Sequence, residues 1–387
     1  MIQQRKDLSQ TRRLVFKIGS SLLADPQYGI NMTMIERIVR QVTALHQQNI
    51  EVCLVSSGSV ALGRVALAKH DSTWLTRVLR VHEKQAAAAV GQPALMHAYH
   101  QVFSDCGFNV AQMLLTRDDL RHRRRYLNAS NTAGTLFSAG VIPIVNENDT
   151  VVVEEIKFGD NDALAALVAR VIEADLVVLA TDVDGLYNGN PNNTPDALRI
   201  SEVHTIDASI HNMATGAGSS FGTGGMKSKI HAADIATRAG IALAIVAGQS
   251  DHALLDLLKG NDLGTLFCCN DDRHTRRQHW IAELLQAKGG LYIDAGAATA
   301  IEKHGASLLP IGLHRVSGSF DKGECITVYN PENKPIAKGL SNYNSREMAM
   351  VCGLKSEHIE SCLGYMDYTS VIHRDNLVLL RDMIAAV

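Results

Sequence analysis

Residues 146–149, Asn-Glu-Asn-Asp, place two amides and two carboxylates directly after an apolar run. That run, residues 141–145 (VIPIV), has the length and composition of a buried parallel strand. In open α/β sheets, ligands lie in the loops just past the carboxyl ends of the strands. We therefore interpret residues 146–149 as a candidate ligand-binding cluster.

A second polar cluster, residues 159–162 (Gly-Asp-Asn-Asp), precedes a helical pattern over residues 163–172. Residues 151–158, between the clusters, are predicted to form a short β-ribbon. Asp160 or Asn161 is a candidate N-cap of the helix, whose free N–H groups favour an anion nearby. Amides and carboxylates together suit a small ligand with charges of both signs. Spacing alone leaves an ordinary turn followed by an N-cap as the alternative.

Lys17 lies inside an otherwise apolar predicted strand, residues 14–18 (LVFKI). Burying an ammonium group without a partner costs several kcal/mol, so Lys17 should reach a carboxylate or a bound anion. The small residues 19–21 that follow allow phosphates to approach backbone amides. An edge-strand lysine whose head reaches water is the alternative.

A glycine-rich segment, residues 221–229 (FGTGGMKSK), precedes a helical pattern that extends to Ala239. It is neither a Walker A loop nor a dinucleotide-binding GxGxxG, because the required spacings are missing. Its glycines nevertheless expose backbone N–H groups at a helix start, and Lys227 and Lys229 flank them. The segment is a candidate phosphate site.

Strands alternate with helices through about residue 267, which predicts an α/β domain with a mostly parallel sheet. From Gly289 onward, short strands with frequent turns predict a smaller, β-rich second domain, and the polar start of residues 268–288 suggests a linker. Further predicted strands are 52–55, 110–115, 176–180 and 241–246, and further predicted helices are 32–46, 60–68 and 82–103.

The composition of the 387 residues is that of a globular protein with two domains. A net charge of −3 argues against bulk nucleic-acid affinity. The basic residues 121–125 could still form a local nucleic-acid-binding patch, but we favour a solvated helix start or a subunit contact for them. Seven scattered cysteines without a CxxC favour reduced thiols. No apolar run approaches 18 residues and the N-terminus lacks a signal-peptide core, so we expect a cytoplasmic protein without a membrane span.

The motifs VFKIGSS, VSSGS, VNENDTVVVEEIKFGDND, ATDVDGLY and GTGGMKSK, in this order over residues 14–229, resemble the amino acid kinase family. GASLLPIG, VSGSFDKGE and AKGLSNYNS in the second domain resemble a PUA domain. The resemblance implies a three-layer α/β/α sandwich over residues 1–267, a linker at 268–288 and a PUA domain at 289–387. One departure is Asn190, where the family usually has an aspartate before the proline.

The resemblance also implies an activity: ATP-dependent phosphorylation of the γ-carboxylate of L-glutamate, the first step of proline biosynthesis. The product would be γ-glutamyl phosphate. A carboxylate is already nucleophilic at neutral pH, so the main task is to bring it to a polyanion and to spread the charge of the transition state. Lys17 and Lys229 would supply that charge, Asp162 would hold both lysines, and Mg²⁺ would bridge the ATP phosphates. The sequence does not identify protein ligands of Mg²⁺.

Substrate contacts follow from the same resemblance. Ser57, Asp149 and Asn161 are implied to bind glutamate, with Asn146 and Asp160 near them. The residues implied to bind ATP are Lys17, Thr181, Asp182, Thr223, Gly224, Gly225, Met226, Lys227, Ser228 and Lys229.

The sequence also leaves alternative functions open. A Rossmann dehydrogenase fits the α/β pattern but would need GxGxxG after the first strand. Another carboxylate kinase, or an RNA-associated PUA protein, stays open. The family suggests a homo-oligomer, a dimer or a tetramer, and glutamyl phosphate reductase is a candidate partner.

Overall fold

A computed structural model describes residues 2–25, 29–151, 161–189, 194, 196–215, 225–269 and 287–380. The described residues divide into two compact units. The first contains residues up to 120 and those from 129 to 269, and the second contains residues 121–128 and those from 287 onward.

An eight-stranded sheet organises the first unit, with the strand order β5-β6-β4-β1-β7-β9-β10-β8. All its pairings are parallel except the one between β9 and β10. The strands of the unit, including a separate β2–β3 pair, are β1 (Arg13–Ile18), β2 (Ala24–Asp25), β3 (Gly29–Ile30), β4 (Glu51–Ser56), β5 (Val110–Leu115), β6 (Ile142–Glu147), β7 (Leu176–Thr181), β8 (Glu202–Val203), β9 (Ala242–Ala247) and β10 (Thr265–Phe267).

Eleven described α-helices precede residue 260. They are α1 (Ser20–Leu23), α2 (Met32–His46), α3 (Ser59–Ala68), α4 (Thr73–Thr76), α5 (Val81–Asp105), α6 (Arg117–Arg121), α7 (Arg123–Ser138), α8 (Asn161–Val171), α9 (Ala208–Thr215), α10 (Met226–Arg238) and α11 (Ala253–Leu258).

The pleat of β1 separates two faces of the sheet. Leu14, Phe16 and Ile18 join one apolar core with buried residues of α2, α5 and α11. Because successive side chains of a strand point to opposite faces, Val15 and Lys17 lie on the other face, where α8 packs on β1 and α10 packs on α8. The first unit is therefore the predicted α/β/α sandwich, and Lys17 lies on its α8 side.

The second unit is a five-stranded sheet with its own core, in the order β12-β11-β13-β14-β15. Its elements are β11 (Gly289–Ile293), α12 (Ala295–His304), β12 (Leu313–Gly318), β13 (Cys325–Tyr329), β14 (Pro335–Leu340), α13 (Ser345–Val351), α14 (Ile359–Leu363) and β15 (Leu377–Leu379). Asp294 and Asn344 cap α12 and α13 by accepting backbone N–H bonds, as short polar side chains do at helix starts. The predicted β-rich domain is present.

Two boundaries, one at each polar cluster, differ from the sequence prediction. β6 runs on to Glu147, because Asn146 and Glu147 continue the register with Leu114 and Leu115 of β5. α8 already begins at Asn161, so this residue belongs to the first helical turn and is not the N-cap. Of the predicted β-ribbon, residues 151–158, only Val151 lies within the described residues. Among the described helices, none is long and apolar enough to cross a membrane.

Two glycines bring α3 and α5 into backbone contact. A Cβ added at Gly63 would lie 1.7 Å from the carbonyl oxygen of Ala87, and one added at Gly91 would lie 1.9 Å from that of Ser59. Real Cβ atoms do not approach so closely, so only glycine fits either position. This contact fixes α5 against the start of α3.

Gly91→Ala should therefore destabilise the protein, by roughly 1–3 kcal/mol or more, because the helices must separate. Gly134→Ala is a matched control: Gly134 lies in α7, and an added Cβ meets nothing within 4 Å. That variant should be more stable by about 0.5–1 kcal/mol, the cost of glycine in a helix. Thermal or urea unfolding measures both, and equal stability of the two variants would contradict the packing described.

Candidate active site

Two lysines meet on one buried carboxylate at the centre of the first unit. Lys17 Nζ forms an ion pair with Oδ1 of Asp162, and Lys229 Nζ lies 3.0 Å from Oδ2. The Ser228 hydroxyl donates to the same Oδ2 at 3.2 Å. Asp162 is 0% exposed, and the lysines are 4% exposed each. We call Lys17, Asp162 and Lys229 the lysine clamp.

Three separate elements supply the clamp. The pleat of β1 directs Lys17 towards α8, whose first turn carries Asp162. Lys229 is the fourth residue of α10, which packs on α8. Because the residues come from distant parts of the chain, the clamp ties a strand and two helix starts together at one point.

The electrostatics of Asp162 agree with this geometry. Burial alone would raise the pKa of the carboxyl group, but the ammonium groups of Lys17 and Lys229 outweigh that effect and lower the pKa to about 2. Asp162 is thus ionised throughout the physiological range. Both of its oxygens are engaged, so we assign it to holding lysines rather than to proton transfer.

The residue before Asp162 belongs to a second set of contacts. The Asn161 amide donates to the Ser56 carbonyl at 3.0 Å, to Ser57 Oγ at 2.9 Å and to Asn146 Oδ1 at 3.0 Å. The first turn of α8 therefore bridges the carboxyl ends of β4 and β6 on one side and the lysine clamp on the other. We call Asn146, Asn161 and Ser57 the amide cluster.

Asn146 is 2% exposed and satisfies both ends of its amide. Its Oδ1 also accepts from the Glu147 N–H at 2.9 Å, and its Nδ2 donates to Gln92 Oε1 at 2.7 Å. Ser59 Oγ lies 3.5 Å from the same Nδ2. The prediction from sequence did not include Gln92, because a lone glutamine in a helix carries no motif.

Asp149 sits beside the amide cluster and accepts from Ser59 Oγ at 3.1 Å. Burial raises the pKa of Asp149, and the Ser59 hydroxyl offsets part of that increase. Between β4 and α3, Gly58 adopts φ 107°, a left-handed conformation that glycine accepts at little cost. Across this turn, Ser57 contacts Asn161, and Ser59 contacts Asp149.

Beyond the clamp, β7 ends next to β1. The Gly19 N–H donates to the Ala180 carbonyl at 3.2 Å, so the ends of the two strands are joined. Thr181 is buried, and its hydroxyl donates to Oδ1 of the exposed Asp182 at 2.8 Å. The pair therefore lies at the carboxyl edge of the sheet, one strand away from Lys17.

The start of α10 carries the remaining predicted phosphate contacts. Gly225 is its N-cap, and its carbonyl accepts from Ser228 Oγ at 2.8 Å. Met226 is half-buried and Lys227 is exposed, whereas Lys229 points inward to the clamp. Of the other predicted residues, Asp160, Asn190, Thr223 and Gly224 lie outside the described ranges.

Among the described residues, one group of side chains could hold a metal ion. Glu202, on β8, lies close enough to His204 and Cys268, which follow β8 and β10 directly, for the three to hold an ion. In the sheet order they lie away from the clamp and the amide cluster. A histidine and a thiol suit softer metals than Mg²⁺. Since both Asp162 oxygens contact lysines, the clamp itself is not a Mg²⁺ cage.

Family models match both units. The model of the amino acid kinase family matches residues 12–247, and the model of the PUA domain matches residues 289–363. The chain belongs to the amino acid kinase family. This confirms the resemblance seen in the sequence motifs, and the matched range contains every residue of the lysine clamp and the amide cluster.

Curated relatives in this family match nearly the whole chain. A glutamate 5-kinase of Citrifermentans bemidjiense is 45% identical over 97% of this chain and 100% of its own length. Those of Trichlorobacter lovleyi and Hydrogenovibrio crunogenus are 46% and 47% identical, over 96% and 97% of this chain and 98% and 99% of their own lengths.

Asp149→Asn should stabilise the protein slightly at neutral pH. A raised pKa means that the ionised carboxylate costs stability above that pKa, and the neutral amide removes this cost while it still accepts from Ser59. We expect a rise in melting temperature of roughly 1–3 °C, for a change below about 1 kcal/mol. The rise should shrink as the pH falls through the raised pKa towards the ordinary 3.8. A rise that grows on acidification would contradict the assignment.

Proposed function

We propose that this chain transfers the γ-phosphoryl group of ATP to the γ-carboxylate of L-glutamate. The product is γ-glutamyl phosphate, whose formation is the first step towards proline. The observation that carries the proposal is the lysine clamp, which lies one residue along α8 from the amide cluster. The near full-length similarity to glutamate 5-kinases supports the choice of substrate.

The chemistry requires charge more than acid–base catalysis. Glutamate's γ-carboxylate is ionised at neutral pH and attacks without a general base, but it must approach a polyanion. Preorganised cations at the transferring group lower that barrier. Lys17 and Lys229 are such cations: Asp162 fixes both ammonium groups, and an ammonium has three donors that can contact carboxylate and phosphate oxygens together.

The amide cluster and Asp149 bind glutamate in this proposal. Asp149 is a carboxylate suited to the α-ammonium group, and Ser57 and Asn161 contribute a hydroxyl and an amide. Asn146 supports Asn161 through the 3.0 Å contact, and Asp160 is assigned to the same site from the sequence motif. The raised pKa of Asp149 reports a half-buried carboxylate that a cationic group would stabilise.

ATP occupies the other side of the clamp. Thr181 and Asp182 lie at the end of β7, and the segment from Thr223 to Lys229 leads into α10, whose N-terminal amides favour phosphates. Mg²⁺ enters with ATP and neutralises part of its phosphate charge. Between the two substrates lies the clamp, where the phosphoryl group is transferred.

A hydroxamate assay tests this function. Hydroxylamine traps an acyl phosphate, so the chain with MgATP should form hydroxamate from L-glutamate, and far less from aspartate or N-acetylglutamate. If the chain preferred another acid, that acid would replace L-glutamate as the proposed substrate, and the assignment as a kinase would stand. No hydroxamate from any acid, with a gel shift on structured RNA, would favour the RNA-associated alternative.

Lys17→Ala and Lys229→Ala should each lower kcat by roughly 10² or more, the scale of losing one preorganised donor of positive charge. The KM for glutamate should change less, because neither lysine belongs to the amide cluster. Lys84→Ala is a control, since Lys84 is an exposed lysine on α5 that is assigned to neither substrate. Near-normal kcat in a folded Lys17 or Lys229 variant would remove that lysine from the mechanism.

We further propose a cytoplasmic homo-oligomer, a dimer or a tetramer, that works beside a glutamyl phosphate reductase. Acyl phosphates hydrolyse in water, so an enzyme that reduces the product promptly would preserve it. RNA binding by the second unit is not part of the proposal.

Residues 1–267 are proposed as the catalytic domain, 268–288 as the linker and 289–387 as the PUA domain. Cys268 and Cys269 still hydrogen-bond to Val203 and Ile2, so a test fragment should end after Cys269. We expect this fragment to keep γ-glutamyl kinase activity, since every proposed catalytic group lies before residue 230. Light scattering and the hydroxamate assay check it. A monodisperse fragment that binds nucleotide but has no turnover would place a catalytic group beyond residue 269.

A further inference from the structure

Gln92 contacts the amide cluster from α5, an element that supplies no residue to the proposed substrate contacts. Its Oε1 accepts from Asn146 Nδ2 at 2.7 Å, the shortest hydrogen bond of the cluster. We propose that Gln92 is a positioning residue for the glutamate site, acting through Asn146 on Asn161 and Asp149. This inference rests on the proposed function and adds a residue to its substrate site.

The position of Gln92 is fixed by the backbone. Gly91 lets α5 touch the Ser59 carbonyl, and Gly63 lets α3 touch the backbone of Ala87. The residue that follows Gly91 is thereby held beside Asn146. A longer gap between the helices would withdraw Oε1 from the cluster.

The orientation of both asparagine amides follows from backbone atoms. The Ser56 carbonyl can only accept, so the Asn161 side chain directs its NH₂ group there. The Glu147 N–H can only donate, so the Asn146 side chain directs its Oδ1 there, and the same Oδ1 accepts from Asn161. The Asn146 NH₂ group must then point to the other side, where Gln92 Oε1 receives it.

This orientation decides what Asn161 offers a ligand. Its NH₂ group is occupied by three acceptors, so its Oδ1 is the atom presented on the opposite side of the amide. An oxygen acceptor suits the α-ammonium group of glutamate, as does the Asp149 carboxylate. The cluster is thus set for a free amino group rather than for an acylated one.

Removing the Gln92 acceptor should disturb both Asn161 and Asp149, because each depends on the orientation of the Asn146 amide. Asn146 is nearly fully buried, and a buried NH₂ group without an acceptor is costly. The alternative acceptor is Ser59 Oγ, 3.5 Å away, which also donates to Asp149. A turn of the Asn146 amide towards Ser59 would withdraw Oδ1 from Asn161 and disturb the hydroxyl that serves Asp149.

Gln92→Met keeps the length of the side chain but removes the acceptor. The KM for glutamate should rise about 10-fold, the factor typical of one buried hydrogen bond, while the KM for ATP and kcat stay within about threefold. Gln101→Met is the matched control, the same substitution at an exposed position of the same helix, and should change nothing. Gln92→Leu is a second variant with a different shape.

A double-mutant cycle with Asn146→Ala separates positioning from direct contact. If Gln92 acts through Asn146, Gln92→Met should add almost nothing to the glutamate KM of Asn146→Ala. Additive effects would overturn the inference, as would an unchanged glutamate KM in an active Gln92→Met enzyme. A rise in both KM values together with a comparable fall in kcat and a lower melting temperature would mean a merely structural role. That result would also overturn the inference. A wild-type chain that forms no hydroxamate would overturn the proposed function and this inference with it.

Discussion

The ion triad of Lys17, Asp162 and Lys229 is the constraint on which the rest of the catalytic unit depends. The three buried groups carry a formal charge of +1, which is costly to keep out of water. In the proposed function, an anionic phosphate bound there would lower that cost, so the same interaction that holds β1, α8 and α10 together would also favour an anionic ligand. The pKa of Asp162, lowered to about 2, keeps the triad intact at every physiological pH.

The first turn of α8 couples the two halves of the site. Asn161 and Asp162 are adjacent in the chain, yet one joins the amide cluster and the other joins the lysine clamp. A shift of this turn would therefore move the proposed glutamate contacts and the lysines together. This coupling explains why the NEND and GDND motifs, separate in the sequence, serve one site: β6 delivers Asn146 and Asp149 to the helix that presents Asn161.

The motifs allowed the family and the fold to be predicted from sequence, and the structure brings the candidate residues of the clamp and the amide cluster together, whereas their roles stay predictions. Lys17 in an apolar strand required a counter-charge, and Asp162 provides one. Gln92 was out of reach, because its role depends on two glycine contacts between helices that are distant from the polar motifs. α8 begins two residues before the predicted helical pattern at residue 163. Of the two predicted caps, Asn161 is already helical and directs its amide to β4 and β6, and Asp160 lies outside the described residues.

The central claim is that the carboxylate of Asp162 assembles both lysines for phosphoryl transfer. The most direct measurement is the kcat of Asp162→Asn, which keeps the shape of the side chain and removes the charge, with circular dichroism to verify folding. The account predicts a loss of roughly 10² or more in kcat, the scale of losing preorganised charge, with a glutamate KM that changes less. A folded Asp162→Asn enzyme with near-normal kcat would contradict it.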